Sequence, residues 1–318
     1  MHRRKLRIPF GLPSIYFGIA GSLSQRLNRL ISAIRLRYFV TLGLTIFLEL
    51  REGFGMRENK ALAAWRAGGQ TIGAWLSVGN AYTAETMTGL GFDWLCVDLQ
   101  HGMLSYDDLK YMLPAISTKE TVPLVRVPWN EPYEIMKALD AGAYGVIVPM
   151  VNNREEAEQA VSACRYPPDG GRSFGPIRAG MYAGRGYAGE ANSQIACIAM
   201  IETEEAIGKL DEIMSTPGLD AVYIGPSDLG YALGLGPAAF EDPKHIETVN
   251  LIFSKAKEHG IAAGIHTGSL SYTQKYLEQG FNFVTLGTDS AFMGRLAGQE
   301  LAAARKTAEE EKESTGYN

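Results

Sequence analysis

The chain has 318 residues, 46% of them hydrophobic and 20% charged, with a formal net charge of -5. That make-up suits one large globular domain or two small ones, and the acidic balance gives no reason to expect nucleic acid as a partner. Cys96, Cys164 and Cys197 lie far apart with no metal-knuckle or redox spacing, which excludes a disulfide framework and points to a reducing compartment.

The charge is unevenly spread. Eight of the 30 basic residues, and none of the 35 acidic ones, fall within residues 1–48. This arm is Arg-rich, Ser-containing and acid-free, as transit peptides are. Its one long apolar run, 38–48, is too short to span a bilayer. Two readings come first, in this order: a leader ahead of a true start at Met56, where MRENKALAAWRAGG opens a domain, or a cleaved arm. A folded N-terminal domain or a membrane tether ranks below both. The expected organisation is a basic extension over 1–55, one domain over 56–307 and a charged tail over 308–318. The expected location is the cytoplasm, or the mitochondrion if the arm is genuine and eukaryotic.

From residue 71 onward one pattern repeats: a short apolar run, a loop, then a helical stretch that often closes on glycine. The runs TIGAWLSV (71–78), FDWLCVDL (92–99), TVPLVRVP (121–128) and GVIVPMV (145–151) read as strands. IACIAMIE (195–202), AVYIGP (221–226), AAGIH (262–266) and FVTLGTD (283–289) follow. Helices such as SYDDLKYMLPAIS, EPYEIMKALDAG and HIETVNLIFSKAKEHG lie between them, several opening on a Ser, Asn or Asp suited to capping. Eight strand–helix units over roughly 250 residues predict an α/β fold, a single-domain (β/α)8 TIM barrel. An open doubly wound sheet would show a Gly-rich turn after its first strand, and LSVGNAYTAE has none. One connection, 166–193, is long and Gly-rich. With Arg172, Arg178 and Arg185 available to meet an anion, it is expected to form a lid opening towards the acid of strand five.

A barrel of this kind places its chemistry at the carboxyl ends of the strands. The polar residues there are Asp98, Gln100 and His101 after strand two, Arg126 in strand three, Glu202, Asp228, His266 and Asp289. Glu202 and Asp228 end two successive strands and make a seat for a hard dication such as Mg²⁺ or Mn²⁺, with Co²⁺ a further candidate. Alternation puts Ile198, Met200 and Glu202 on one face of strand five. A buried Arg126 calls for an anion or a carboxylate opposite, and Asp98 and Glu202 are the available partners. His101 is the acid/base candidate, and the N–H groups of Ser227 and Asp228 suit a substrate carboxylate. His245 and His259, on helices, read as bystanders. No lysine ends a strand, which argues against a Schiff-base route.

The segments GFDWLCVDLQHG, PLVRVPWNEP, VPMV, RYPPDGGRSFG, IET and IGPSDL resemble the HpcH/HpaI family of metal-dependent pyruvate aldolases, over about residues 61–306. The resemblance implies His101 as general base, Arg126 as enolate-stabilising group, Glu202 and Asp228 as metal ligands, and Ser227 as a backbone contact to substrate. It also implies that Asp140, in KALDAG, raises the basicity of the histidine. Asp140 should lie on the face of the barrel away from the site, so it would act across a subunit interface. The implied assembly is a homo-oligomer, a hexamer with its last helix exchanged. Two positions depart from the pattern. Gln100 stands where members carry an acid beside the histidine, and Met200 replaces a substrate-contacting Gln. The implied substrates are a small 2-oxo acid and an aldehyde. A CoA-thioester lyase of the citrate-lyase β type and a non-catalytic 2-oxo acid binder are the alternatives.

Overall fold

The computed structural model describes residues 55–314, with side chains to residue 305. The basic arm lies outside the described residues, as do the side chains of the tail. Eight parallel strands pair in chain order and close: β1 (Thr71–Leu76), β2 (Trp94–Asp98), β3 (Val122–Arg126), β4 (Gly145–Val148), β5 (Ala196–Ile201), β6 (Ala221–Ile224), β7 (Ala262–Ile265) and β8 (Phe283–Thr288). Each falls inside the run read from the sequence, and the (β/α)8 architecture is as expected. Apart from residues such as Asp98, Arg126 and Thr285, the strands are apolar, because helices cover one face and the packed interior covers the other.

The interior is filled by aromatic rings that need gaps in the facing strand. A Cβ on Gly73 would sit 2.1 Å from the Trp94 ring, so only glycine lets β1 run beside that indole. Helix α1 (Lys60–Arg66) closes the amino-terminal end of the barrel: Trp65 stacks on Phe283 with centroids 4.2 Å apart and donates to Thr71 Oγ1. Asn59 caps it and also donates to the carbonyls of Tyr144 and Gln194, where β4 and β5 begin.

The outer helices include α2 (Ala81–Thr88), α3 (Tyr106–Ile116), α4 (Pro132–Asp140) and α5 (Arg154–Cys164), each running back from the carboxyl end of a strand. Asn80, Ser105 and Asn153 cap α2, α3 and α5 through their side chains, as their sequence positions predict.

The 166–193 connection departs from expectation. It carries two helices, α6 (Ile177–Ala183) and α7 (Tyr187–Gln194), and it is no lid over its own barrel's mouth. Arg172 Nη2 donates to Asp140 Oδ1 at 2.6 Å, and Arg178 donates to Ala141 O at 2.8 Å and Ser117 Oγ at 2.7 Å. These partners sit where α3 and α4 end, on the face where strands begin. The physical reason is chain direction: the segment feeds the start of β5, and a six-residue strand puts about 20 Å between that point and Glu202.

Replacing Gly73 with alanine should therefore overpack the interior and destabilise the barrel by about 1–3 kcal/mol. The midpoint of urea unfolding, compared with that of the unaltered chain, measures this.

Candidate active site

β2 and β3 are paired so that Asp98 lies beside Arg126. The guanidinium is held in a fork: Nε donates to Oδ1 at 2.8 Å and Nη2 to Oδ2 at 2.6 Å. Its Cζ also lies over the Trp75 ring, 4.4 Å from the ring centroid. Of the two partners open to Arg126 in the sequence, Asp98 is the one it takes. Asp98 Oδ1 further accepts the backbone N–H groups of Gln100 and His101, at 3.2 and 3.3 Å. One carboxylate thus fixes both the cation and the turn that presents His101.

Glu202 follows β5 at the barrel mouth and is 3% exposed. Its Oε1 accepts the N–H of Met150 at 2.9 Å, delivered by a left-handed backbone at Met150 (φ 56°). Its Oε2 is buried and has no partner among the described residues. That oxygen occupies space that a side chain at Gly225 would fill, since a Cβ there would approach it to 2.4 Å. Burial raises the Glu202 pKa to about 7; the Met150 N–H lowers it, Asp228 raises it and Arg126 lowers it. Asp228 is exposed in the first turn of α10 (Pro226–Ala232), the helix after β6.

No group of three or more His, Cys, Asp or Glu suited to a metal occurs among the described residues. The sequence offered the pair Glu202 and Asp228 for this role. A bare buried carboxylate oxygen with a second carboxylate close enough to perturb it fits a hard dication whose remaining ligands come from water and substrate.

A cavity of about 210 Å³ is lined by Asp98, His101, Arg126, Met200, Ser227, Asp228 and His266; Glu202 is not in its lining, and its neighbours Met200 and Gly225 are. The sequence marked His266 as a strand end without giving it a role, and it passed over Tyr223. Tyr223 OH accepts from Trp75 Nε1 at 3.2 Å, lies 3.4 Å from His266 Nδ1, and makes a short hydrogen bond with Thr285 Oγ1. Burial, aided by the Arg126 charge, depresses the His266 pKa to about 4, so the imidazole is neutral at pH 7. Tyr223 stands two residues before Gly225, on the inward face, and that alternation was the signal available.

Other candidates fall elsewhere. Asp140 is paired with Arg172 on the opposite end of the barrel, as its helix position implied. Asp289 is structural: it accepts from Ser77 N, Ser77 Oγ and Val78 N, tying β8 to β1. His259 pairs with Asp211 at 2.8 Å, away from the cavity lining. His245 is fully buried, with its Nε2 on the Pro226 carbonyl.

A parallel barrel that gathers an arginine, a histidine and acids at the carboxyl ends of its strands has the layout of an enzyme active site. Residues 71–294 match the HpcH/HpaI aldolase/citrate lyase family, and the chain belongs to it; its activity is that of a carbon–carbon lyase. The hydroxypyruvate/pyruvate aldolase of Rhizorhabdus wittichii is 41% identical over 78% of this chain and 99% of its own. The 4-hydroxy-2-oxo-heptane-1,7-dioate aldolase of Escherichia coli is 38% identical over 78% of this chain and 95% of its own. A solved HpcH/HpaI aldolase/citrate lyase family protein from Burkholderia cenocepacia J2315 superposes with a TM-score of 0.74, at 31% identity, over 78% of this chain and 99% of that one.

The raised Glu202 pKa has a consequence for stability. The folded, metal-free chain binds this proton more tightly than the unfolded one, so the contribution is complete below the ordinary carboxylate value near 4.5 and is lost as pH rises through about 7. The loss amounts to about 3 kcal/mol. Melting temperatures in EDTA across pH 4.5–8 should show that decline in the parent, and Glu202→Gln should flatten it.

Proposed function

We propose that the protein is a divalent-metal-dependent aldolase. It cleaves a 4-hydroxy-2-oxo acid, reversibly, to pyruvate or a related 2-oxo acid and an aldehyde. The observation that carries this reading is the buried, unpartnered Glu202 Oε2, on a carboxylate that feels the charges of both Asp228 and Arg126. The names of the two aldolase relatives agree with it.

Glu202 and Asp228 would hold Mg²⁺, Mn²⁺ or Co²⁺, which when bound polarises the 2-oxo group and lowers the cost of negative charge on its oxygen. Asp98 occupies the Nε–Nη2 edge of the Arg126 guanidinium, and Nη1 is the nitrogen with no protein partner among the described residues. Arg126 therefore directs a fixed N–H at the oxygen where charge develops, with no reorganisation at the moment of reaction. In cleavage, His101 takes the proton of the C4 hydroxyl, directly or through a water. The C4–O bond gains double-bond character as the C3–C4 bond breaks, its electron pair moves into the enolate, and a proton returns at C3. The backbone N–H groups of Ser227 and Asp228 meet the substrate carboxylate.

Met200 lines the cavity where the family pattern has a glutamine, and Gln100 replaces an acid beside His101. Both changes act on which substrates are accepted more than on the reaction type, because they alter hydrogen-bond partners beside the acid pair and leave the pair intact. Asp140 acts from a neighbouring subunit, with a hexamer exchanging its last helix, α13 (Asp289–Ser314). No helix among the described residues is long and apolar enough to cross a membrane.

Incubation with pyruvate and glyoxylate or succinic semialdehyde should give the 4-hydroxy-2-oxo acid. EDTA should abolish the reaction and added Mn²⁺ should restore it; turnover that survives chelation contradicts the metal's role. Arg126→Lys keeps a charge but loses the fork, and it should lower kcat about 100-fold or more, with a smaller change in KM.

A further inference from the structure

Helix α11 (Pro243–Glu258) buries His245 completely in its first turn. Its Nε2 lies 3.0 Å from the carbonyl oxygen of Pro226. A carbonyl only accepts, so Nε2 carries the hydrogen and the tautomer is fixed. Nδ1 is buried with no partner among the described residues, and the ring meets Phe240 edge-on at 6.0 Å. A leucine would pack in this volume without stranding a nitrogen. Packing alone therefore does not account for an imidazole here; the bond to Pro226 does.

Pro226 is the first residue of α10, two positions before Asp228. The helix follows Gly225, which has no side chain to anchor it, and no side chain caps it. His245 reaches across from another helix to the point where the chain turns from β6 into α10.

We propose that His245 is a positioning residue: it fixes the first turn of α10 and so aims Asp228 towards Glu202. The inference rests on the reading of those two acids as the seat of a dication. It is specific to the bond, because a glutamine amide can present its N–H about as far out as Nε2, and an asparagine amide cannot.

The test is titration of the full-length protein with Mn²⁺, following free Mn²⁺ by electron paramagnetic resonance, for the parent and for His245→Gln, His245→Asn and His245→Leu. Melting temperatures are measured in EDTA beside it. His245→Gln should bind Mn²⁺ within about twofold of the parent, and His245→Asn and His245→Leu about fivefold or more weakly, the scale of one lost hydrogen bond. The metal-free melting temperature of His245→Leu should equal or exceed the parent's. If the parent takes up no Mn²⁺, the dication reading fails and this inference with it. If the parent binds and all variants match it, or all three weaken equally, the positioning role alone is overturned. Should His245→Leu not fold, the Gln–Asn pair carries the comparison.

Discussion

The mouth of the barrel is organised by the forked ion pair between Asp98 and Arg126. Both are nearly buried, and either one alone would be a stranded charge. Their attraction joins β2 to β3, and the spare capacity of the same carboxylate draws in the backbone that carries His101. Arg126 lies on Trp75, Trp75 donates to Tyr223, and Tyr223 reaches His266 and Thr285. The chain of contacts runs from Asp98 in β2 to Thr285 in β8, so polar and aromatic groups of the candidate site brace one another. Rigidity of this kind is what an electrostatic site requires, since dipoles that must reorganise contribute less.

Glu202 shows the opposite economy. One of its oxygens is satisfied and the other is left bare in a buried place, which by itself disfavours the folded state above pH 7. A proton relieves that cost at lower pH, and a positive partner would relieve it above pH 7. Association with a dication would turn a local penalty into a source of affinity, and proton and metal would compete for the same oxygen.

Much of this was legible in the sequence because parallel strands buried on both faces read as unbroken apolar runs, and because a polar residue ending such a run stands out. Asp98, Arg126, Glu202 and Asp228 were visible for that reason. Tyr223 was hidden inside an apolar run, where a tyrosine looks like any large core residue until its hydroxyl's partners are known. The 166–193 segment misled because loop composition says nothing about which end of the barrel a loop occupies; only its place before β5 does. His245 was set aside because helix periodicity cannot tell a buried ring that packs from one that holds a carbonyl of another helix.

Met150, with a φ of 56°, is the only non-glycine residue with positive φ among the described residues. A side chain held in that region costs of order 1 kcal/mol or more of conformational energy. The turn after β4 is held in this conformation, and in it the Met150 N–H donates to Glu202. Relaxing the turn into an ordinary extended path would make the loop more comfortable and turn the amide away, so local discomfort and the aim of the acid are two aspects of one backbone angle.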